Sequence, residues 1–432
     1  MLIIGFHHRK HKNSLEDFFL SDRKLSTLHV VGSTFSTLIA LSFVFAGTAF
    51  AYINGISAIW LSLAALLGFV IFAFVSPKIK ELSDSKHAIT IPELVEHRLG
   101  RKFKLISSLI IITIFTLVVA TEFLVAGSIL TSFLKTPFLP TLIIASALVI
   151  LYSIIGGFKT VVITDVIQMF LIMLSIPLMF FGLYQIIGGA PLTVPAELLN
   201  PFNIGIPVIG SLFLITMLAY FGSQDIFQRV YASRDKPTAR KSMLITAVIV
   251  FSIFLLTIPL GLLARVAFPS INPNEIIPTL IQQVSMTGLI GLLIAGYLAT
   301  ANSTADTELL TVASNIIRDF KTVKTKNIIA VSRLIMLIIG GVGIAIAALT
   351  KDILTLVVTL INLFGILGVI ILATLFWKRV SPVSATTSLV TGFGATIVYT
   401  IFTGDFLGAT LVGLIPTIVL LVALSILVKQ KT

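Results

Sequence analysis

LATANSTADTELLTVAS, residues 298–314, sets Thr300, Ser303, Thr304, Thr307, Thr311 and Ser314 at helical spacing in an otherwise apolar span, with Asp306 and Glu308 in the same turns. Residues three and four apart share a helix face, so these hydroxyls form a stripe. Polar atoms deep in a bilayer are costly unless they face the interior of a bundle and something there uses them. The reading of this stretch therefore depends on how many other helices surround it.

The remainder of the chain supplies them. Its 432 residues are 57% hydrophobic and only 11% charged, and the mean hydropathy is +1.09. Apolar stretches of membrane-crossing length recur from Leu28 to Val428. About 20 residues of helix cross a bilayer core, and stretches this continuous do not fit the alternating pattern of barrel strands. The sequence predicts an all-α membrane protein with twelve spans: 28–52, 56–77, 103–134, 138–155, 161–187, 205–222, 243–264, 287–314, 327–349, 353–377, 383–402 and 406–428.

Basic residues orient these spans, because Lys and Arg collect in cytoplasmic segments. With the N-terminus inside, only Lys135, Arg265 and Lys351 fall in outer loops and Arg333 falls within a span; every other Lys and Arg, Arg229 included, is assigned to an inner segment. Both termini are expected in the cytoplasm of a multi-pass cell-membrane protein. The net charge of +12 and pI of 9.9 then describe one face of a membrane protein and call for no nucleic-acid partner. The run His7-His8-Arg9-Lys10-His11-Lys12 reads as a positive flank, and Met1 to Phe6 as the last turn of a helix whose beginning is absent.

Enzymatic readings find no support in the residues. With no cysteine there is no disulfide, thiolate metal site or cysteine nucleophile. No metal-ligand cluster or phosphate loop is present, and the six His lie in or near cytoplasmic segments. No cofactor is expected.

The loops divide the chain. Residues 1–27 form a cytoplasmic segment, 28–187 a first block of five helices, 188–204 a Gly- and Pro-containing external loop, 205–377 a second block of five, and 378–432 two further helices with a tail. An odd number of spans per block inverts the second block, which is the plan of many secondary transporters with a midplane site between discontinuous helices. Two short inner segments, 91–99 and the stretch after Gln228, look amphipathic.

On the eighth span, the hydroxyls of Ser303 and Thr304 with the carbonyl of Thr300 make a neutral cluster of hard oxygens suited to an alkali cation. Back-bonding of the same hydroxyls within the helix is the structural alternative. In the first span, Gly32, Ser33, Thr34, Ser36 and Thr37 are poor helix formers in succession. A break there exposes carbonyls near Ser36 and Ile39. At about 1.5 Å per residue, Ser36, Ser303 and Asp306 lie at one depth, roughly 12 to 16 Å from their inner ends. Asp165, about 6 to 10 Å into the fifth span, reads either as an exit relay for a cation or as the partner of Arg333.

Several stretches resemble one family. Gly156-Gly157-Phe158-Lys159-Thr160-Val161-Val162 with Thr164-Asp165-Val166-Ile167-Gln168 resembles the signature segment of the sodium:solute symporters. Ser223-Gln224-Asp225-Ile226-Phe227-Gln228-Arg229 with Tyr231-Ala232-Ser233 resembles their sixth-to-seventh-span loop, and Ser303-Thr304-Ala305-Asp306 with Leu309-Leu310 and Ala313-Ser314 their eighth span. Tyr52 with Gly55, and Phe376-Trp377-Lys378, resemble the ends of the first and tenth core helices.

The resemblance implies the leucine-transporter fold, with an inverted five-plus-five core, and sodium-coupled import of a small organic solute by alternating access. It puts the sodium site on the carbonyls of Ser36, Ile39 and Thr300 and the hydroxyls of Ser303 and Thr304. It gives Asp165, Asp306 and Thr307 to ion release or a second ion. Phe43, Ser62, Glu122 and Asn362 become the substrate-site candidates, Asn362 with an alternative role in bonding helix to helix. Neither the Gln of sugar carriers, at Phe43, nor the carboxylate of proline carriers, at Leu38, is present. Expected partners are sodium, the solute and the lipid bilayer. The rivals are a proton-coupled carrier, using Asp165 or Asp306, and a non-transporting solute sensor of the same fold.

Overall fold

The computed structural model describes residues 15–39, 41–188, 193–283, 287–320, 327–350 and 352–427. Met1 to Phe6 and the His7 to Lys12 run lie outside them. Among the described residues there are helices and one isolated β-bridge, Leu25 with Ser233, but no strand.

The run of weak helix formers in the first span does end a helix. After the short α1 (Leu15–Leu20), α2 (Thr27–Leu38) stops where Ile39 leaves helical geometry at φ −82°, ψ 48°, and α3 (Leu41–Asn54) resumes the span. A 3-10 turn, Gly55–Ala58, leads into α4 (Ile59–Lys86). In α5 (Ile91–Leu134), Gly100 adopts φ 74°, so residues 91–99 form a separate arm before the span proper. A second glycine, Gly157 at φ 83°, separates α6 (Phe138–Gly156) from α7 (Phe158–Ile187), the last helix of the first block.

The second block opens with the same device. α8 (Ile206–Ala219) is only 14 residues long, about 21 Å of helix and too short to cross a bilayer core. The chain turns at 220–223 and continues as α9 (Gln224–Ala232). Every residue of α9 is buried, so the amphipathic segment expected after Gln228 begins within the second half of a broken span. α10 (Lys236–Ala267), the short α11 (Ile276–Gln283), α12 (Thr287–Phe320), α13 (Ile328–Leu349) and α14 (Ile353–Phe376) complete the core, and α15 (Pro382–Thr403) and α16 (Phe406–Leu427) follow it.

Ten helices of the described chain are long and apolar enough to cross a membrane. The first of these, Phe43–Lys86, is two spans joined at the 3-10 turn, and α12, which carries the hydroxyl stripe, is not among the ten. Each of the twelve expected segments nevertheless falls on a helix or a broken helix of the described chain.

Close backbone approaches hold the two broken spans in place. At Gly32 in α2, a Cβ would come within 2.7 Å of Val166 in α7. At Gly222, in the second break, it would come within 2.0 Å of the Phe364 carbonyl of α14. The two broken helices also meet at their ends, where Leu25 N–H donates to the Ala232 carbonyl (3.0 Å) and Arg234 N–H to the Leu25 carbonyl (3.1 Å).

Candidate functional site

Both faces of the α2 end and the stripe on α12 converge on one buried carboxylate. Asp165 of α7 has no exposed surface. Its Oδ1 accepts from Ser303 Oγ at 2.5 Å, its Oδ2 from Ser33 Oγ at 2.6 Å, and its backbone carbonyl from Ser36 Oγ at 2.7 Å. α2, α7 and α12 thus meet at one residue.

The carbonyls at the end of a helix lack intrahelical partners, and α2 ends inside the bundle. There the Phe35 carbonyl accepts from Ile39 N–H at 2.8 Å, and the Thr37 carbonyl accepts from Thr304 Oγ1 at 3.2 Å. Thr304 Oγ1 also lies 3.3 Å from the Thr300 carbonyl. Ser36, Ile39, Thr300, Ser303 and Thr304 are therefore gathered at the α2–α12 contact and all are buried. Because Ser303 donates its proton to Asp165, the lone pairs of its oxygen are left for a cation.

Arg229 of α9 is the residue that sequence reasoning misplaced. Counted as an inner-loop charge, it is fully buried, with Nη2 3.7 Å from Asp165 Oδ2. The same nitrogen donates to Thr37 Oγ1 at 2.6 Å and Thr307 Oγ1 at 2.8 Å, while Nε donates to Ser33 Oγ at 3.1 Å. Asp165 is thus paired with Arg229, and Arg333 instead donates to the Ile154 carbonyl at 2.9 Å. The sequence signal was weak: the apolar run 205–222 is 18 residues, near the lower limit for a span, and only the observed 14-residue α8 leaves the polar stretch after it to complete the span.

Of the three second-ion candidates, Asp165 and Thr307 are bridged by Arg229. Asp306 is fully buried, on a face about 100° round the helix from Thr307. The stripe itself divides. Thr311 donates to Gln228 Oε1 and Gln228 Nε2 to Ser314 Oγ, both at 3.0 Å, so its lower half binds α12 to α9.

Beside this network lies a cavity of about 120 Å³. Phe43 and Ser62 line it, as expected for substrate contacts, whereas Glu122 and Asn362 are not among its lining residues. Asn362 accepts from Thr410 Oγ1 at 3.0 Å and donates to the Phe406 carbonyl at 3.3 Å, which ties α14 to α16 and fulfils its alternative role. Asp225 and Glu308, absent from the sequence-based candidates, do line the cavity. Glu308 is 2% exposed, and its Oε2 has no hydrogen-bond partner among the described residues. Thr37 and Thr304 belong to both the cavity wall and the hydroxyl network.

The model of the sodium:solute symporter family matches residues 18–392. The osmoregulated proline transporter OpuE of Bacillus subtilis is 26% identical over an alignment covering 100% of this chain and 92% of its own. A sodium/proline symporter of Staphylococcus aureus is 25% identical, with coverage of 92% and 83%. Among solved structures, a substrate-bound, outward-open Na+-coupled sialic acid symporter superposes with a TM-score of 0.80 at 20% identity, over 99% of this chain and 95% of that one. The nucleobase-cation-symport-1 family transporter Mhp1, in a closed conformation, gives 0.62 at 14% identity over 94% and 93%. These structures share the fold.

Proposed function

Because the chain belongs to the sodium:solute symporter family, we propose that it is a sodium-coupled secondary transporter that imports a small organic solute by alternating access. It is a multi-pass membrane protein, and in this reading it sits in the cell membrane with both termini in the cytoplasm. The coupling ion is held between α2 and α12, by the carbonyls of Ser36, Ile39 and Thr300 and the hydroxyls of Ser303 and Thr304.

The observation that carries the reading is the double membership of Thr37 and Thr304, which border the solute cavity and the hydroxyl network together. An ion that draws the α2 end onto α12 fixes one wall of the cavity. A solute filling the cavity holds that wall in return. Coupling of this kind is reciprocal: sodium raises solute affinity by the same factor as solute raises sodium affinity.

Arg229 bears on the number of ions. Its guanidinium already contacts Asp165 and Thr307, so a second sodium among Asp165, Asp306 and Thr307 has to displace it. We therefore assign one sodium per cycle, with Asp165 as the release group that hands its Ser303 contact to the departing ion's water.

Uptake of radiolabelled solutes into proteoliposomes, with sodium and with potassium in its place, tests the reading on the wild type and on Ser303→Ala. The expected result is sodium-dependent uptake whose half-saturating sodium concentration rises at least tenfold in the variant, about 1.4 kcal/mol. Uptake that ignores sodium but collapses with the pH gradient would assign the coupling to a proton. Solute binding without uptake would make the protein a sensor.

A further inference from the structure

The charge in the cavity wall points to the kind of solute it takes. Six aromatic rings, those of Phe43, Phe50, Phe115, Tyr220, Phe254 and Phe364, form most of its polarisable lining. Its ionisable lining groups are Asp225, Glu308 and the Tyr220 phenol; no Lys, Arg or His is among the described lining residues.

The two carboxyls differ in what surrounds them. Asp225 accepts a short hydrogen bond from Ser223 Oγ, and Arg229, one helical turn on, donates to its backbone carbonyl at 3.2 Å. Asp225 therefore has a hydroxyl and a cation of its own segment at hand. Glu308 stands apart: it is buried, and Oε2 has no hydrogen-bond partner among the described residues. Its charged neighbours are Glu122, Asp225 and Asp306, with Arg229 the cation among them. That arginine is already engaged by Asp165, Ser33, Thr37 and Thr307. A buried carboxylate needs a paired charge or several hydrogen bonds, and the protein leaves Glu308 without them on the wall of a cavity.

Resting on the sodium-symport reading of the same cavity, we infer that the solute carries an organic ammonium group, and that Glu308 is the specificity-determining counter-charge that seats it among the aromatic rings. Carboxylate and ring faces act on the same part of the solute, because the negative face of an aromatic ring attracts a cation that is losing its water. An ammonium is recognised whether primary, secondary or quaternary. A neutral sugar or a plain carboxylate finds no complementary charge on this wall.

Two isosteric pairs separate charge from shape: choline against 3,3-dimethylbutan-1-ol, and proline against cyclopentanecarboxylate. Ligand-induced shifts in thermal unfolding of the purified full-length protein, titrated in sodium and in potassium, give the affinities of the wild type and of Glu308→Gln and Glu308→Asp. In sodium, the ammonium member of a pair is expected to bind at least tenfold more tightly than its isostere. Glu308→Gln narrows that gap at least fivefold and Glu308→Asp restores part of it, while half-saturating sodium stays within twofold of the wild type. The inference is overturned if neither ammonium solute binds, if the isosteres bind equally well, or if Glu308→Gln keeps the gap. Should Glu308→Gln fail to fold, the wild-type pairs still decide the ammonium preference and Glu308→Asp, by narrowing the gap or leaving it, decides whether Glu308 sets it. A solute that binds in sodium without any preference for ammonium sinks this inference and leaves symport standing; ammonium binding indifferent to sodium does the reverse.

Discussion

The α2–α3 break and the α8–α9 break open the two five-helix blocks at equivalent places, yet they carry opposite chemistry. Around the first are Ser33, Ser36, Thr37 and backbone carbonyls, all neutral oxygens. Around the second are Asp225 and Arg229, a carboxylate and a guanidinium one helical turn apart. A neutral oxygen cluster binds a cation that comes and goes, since the site is stable with or without it. A guanidinium is a cation on a tether. The difference teaches that one inverted half supplies a vacancy for an exchangeable ion and the other a permanent charge, with Asp165 placed where it touches both.

Removing the tethered charge is the severest way to break this contrast. Arg229→Gln leaves Asp165 buried without its cation, and loss of one partner from a buried pair costs about 3–5 kcal/mol. The expected outcome is a large fall in thermal stability and no measurable uptake. Asp165→Asn with Arg229→Gln removes both charges and is expected to regain most of the stability, because Ser33 and Ser303 still bond to the amide side chain. A double variant no more stable than Arg229→Gln would show that the two residues are not energetically paired.

A packing change at the second break ranks next. Gly222 has the Phe364 carbonyl of α14 within 2.0 Å of where a Cβ would stand and the Gly368 nitrogen within 3.0 Å. Both are backbone atoms, so neither can rotate away. Gly222→Ala is expected to destabilise by about 1–3 kcal/mol through overpacking, read as a lower unfolding temperature, with the half-saturating sodium concentration unchanged. A shift in sodium affinity would mean that the two breaks are mechanically linked.

The broad plan was legible because its signals are additive along the chain. Long apolar runs gave the spans, the basic loops gave an expected orientation, and Gly32 to Thr37 marked the first break in a row of weak helix formers. Ser36, Ile39, Thr300, Ser303, Thr304 and Asp165 could be brought together from depth and resemblance alone. What stayed hidden were residues whose surroundings are made by distant helices. Arg229 follows a short apolar run and looks like any basic flank; only burial under α2 and α12 turns it into the partner of Asp165. Glu308 shares its helix with the hydroxyl stripe, and one-dimensional spacing cannot tell that it lines a cavity with aromatic rings from four other helices and the 220–223 turn. Asn362 is the converse case, since a mid-depth amide that could serve a ligand or bond helix to helix finds its partners on α16.

The finest test divides the hydroxyl stripe against itself. Thr304 faces the α2 end and the cavity, whereas Thr311, two turns on, donates to Gln228 of α9 and has no place in the cavity wall among the described residues. Val has nearly the shape of Thr, so substitution removes the hydroxyl with little change in volume. Thr311→Val deletes one buried hydrogen bond, for a loss of about 1 kcal/mol in stability, and leaves the sodium dependence of uptake as in the wild type. Thr304→Val loses a comparable amount of stability but also removes an ion ligand, so the half-saturating sodium concentration rises. If the two variants shift sodium dependence equally, the stripe acts as one helix-packing unit and the division between an ion-facing half and an α9-facing half fails. If only Thr304→Val shifts it, the boundary between them falls within the single helical turn from Thr304 to Thr307, whose hydroxyl Arg229 of α9 already occupies.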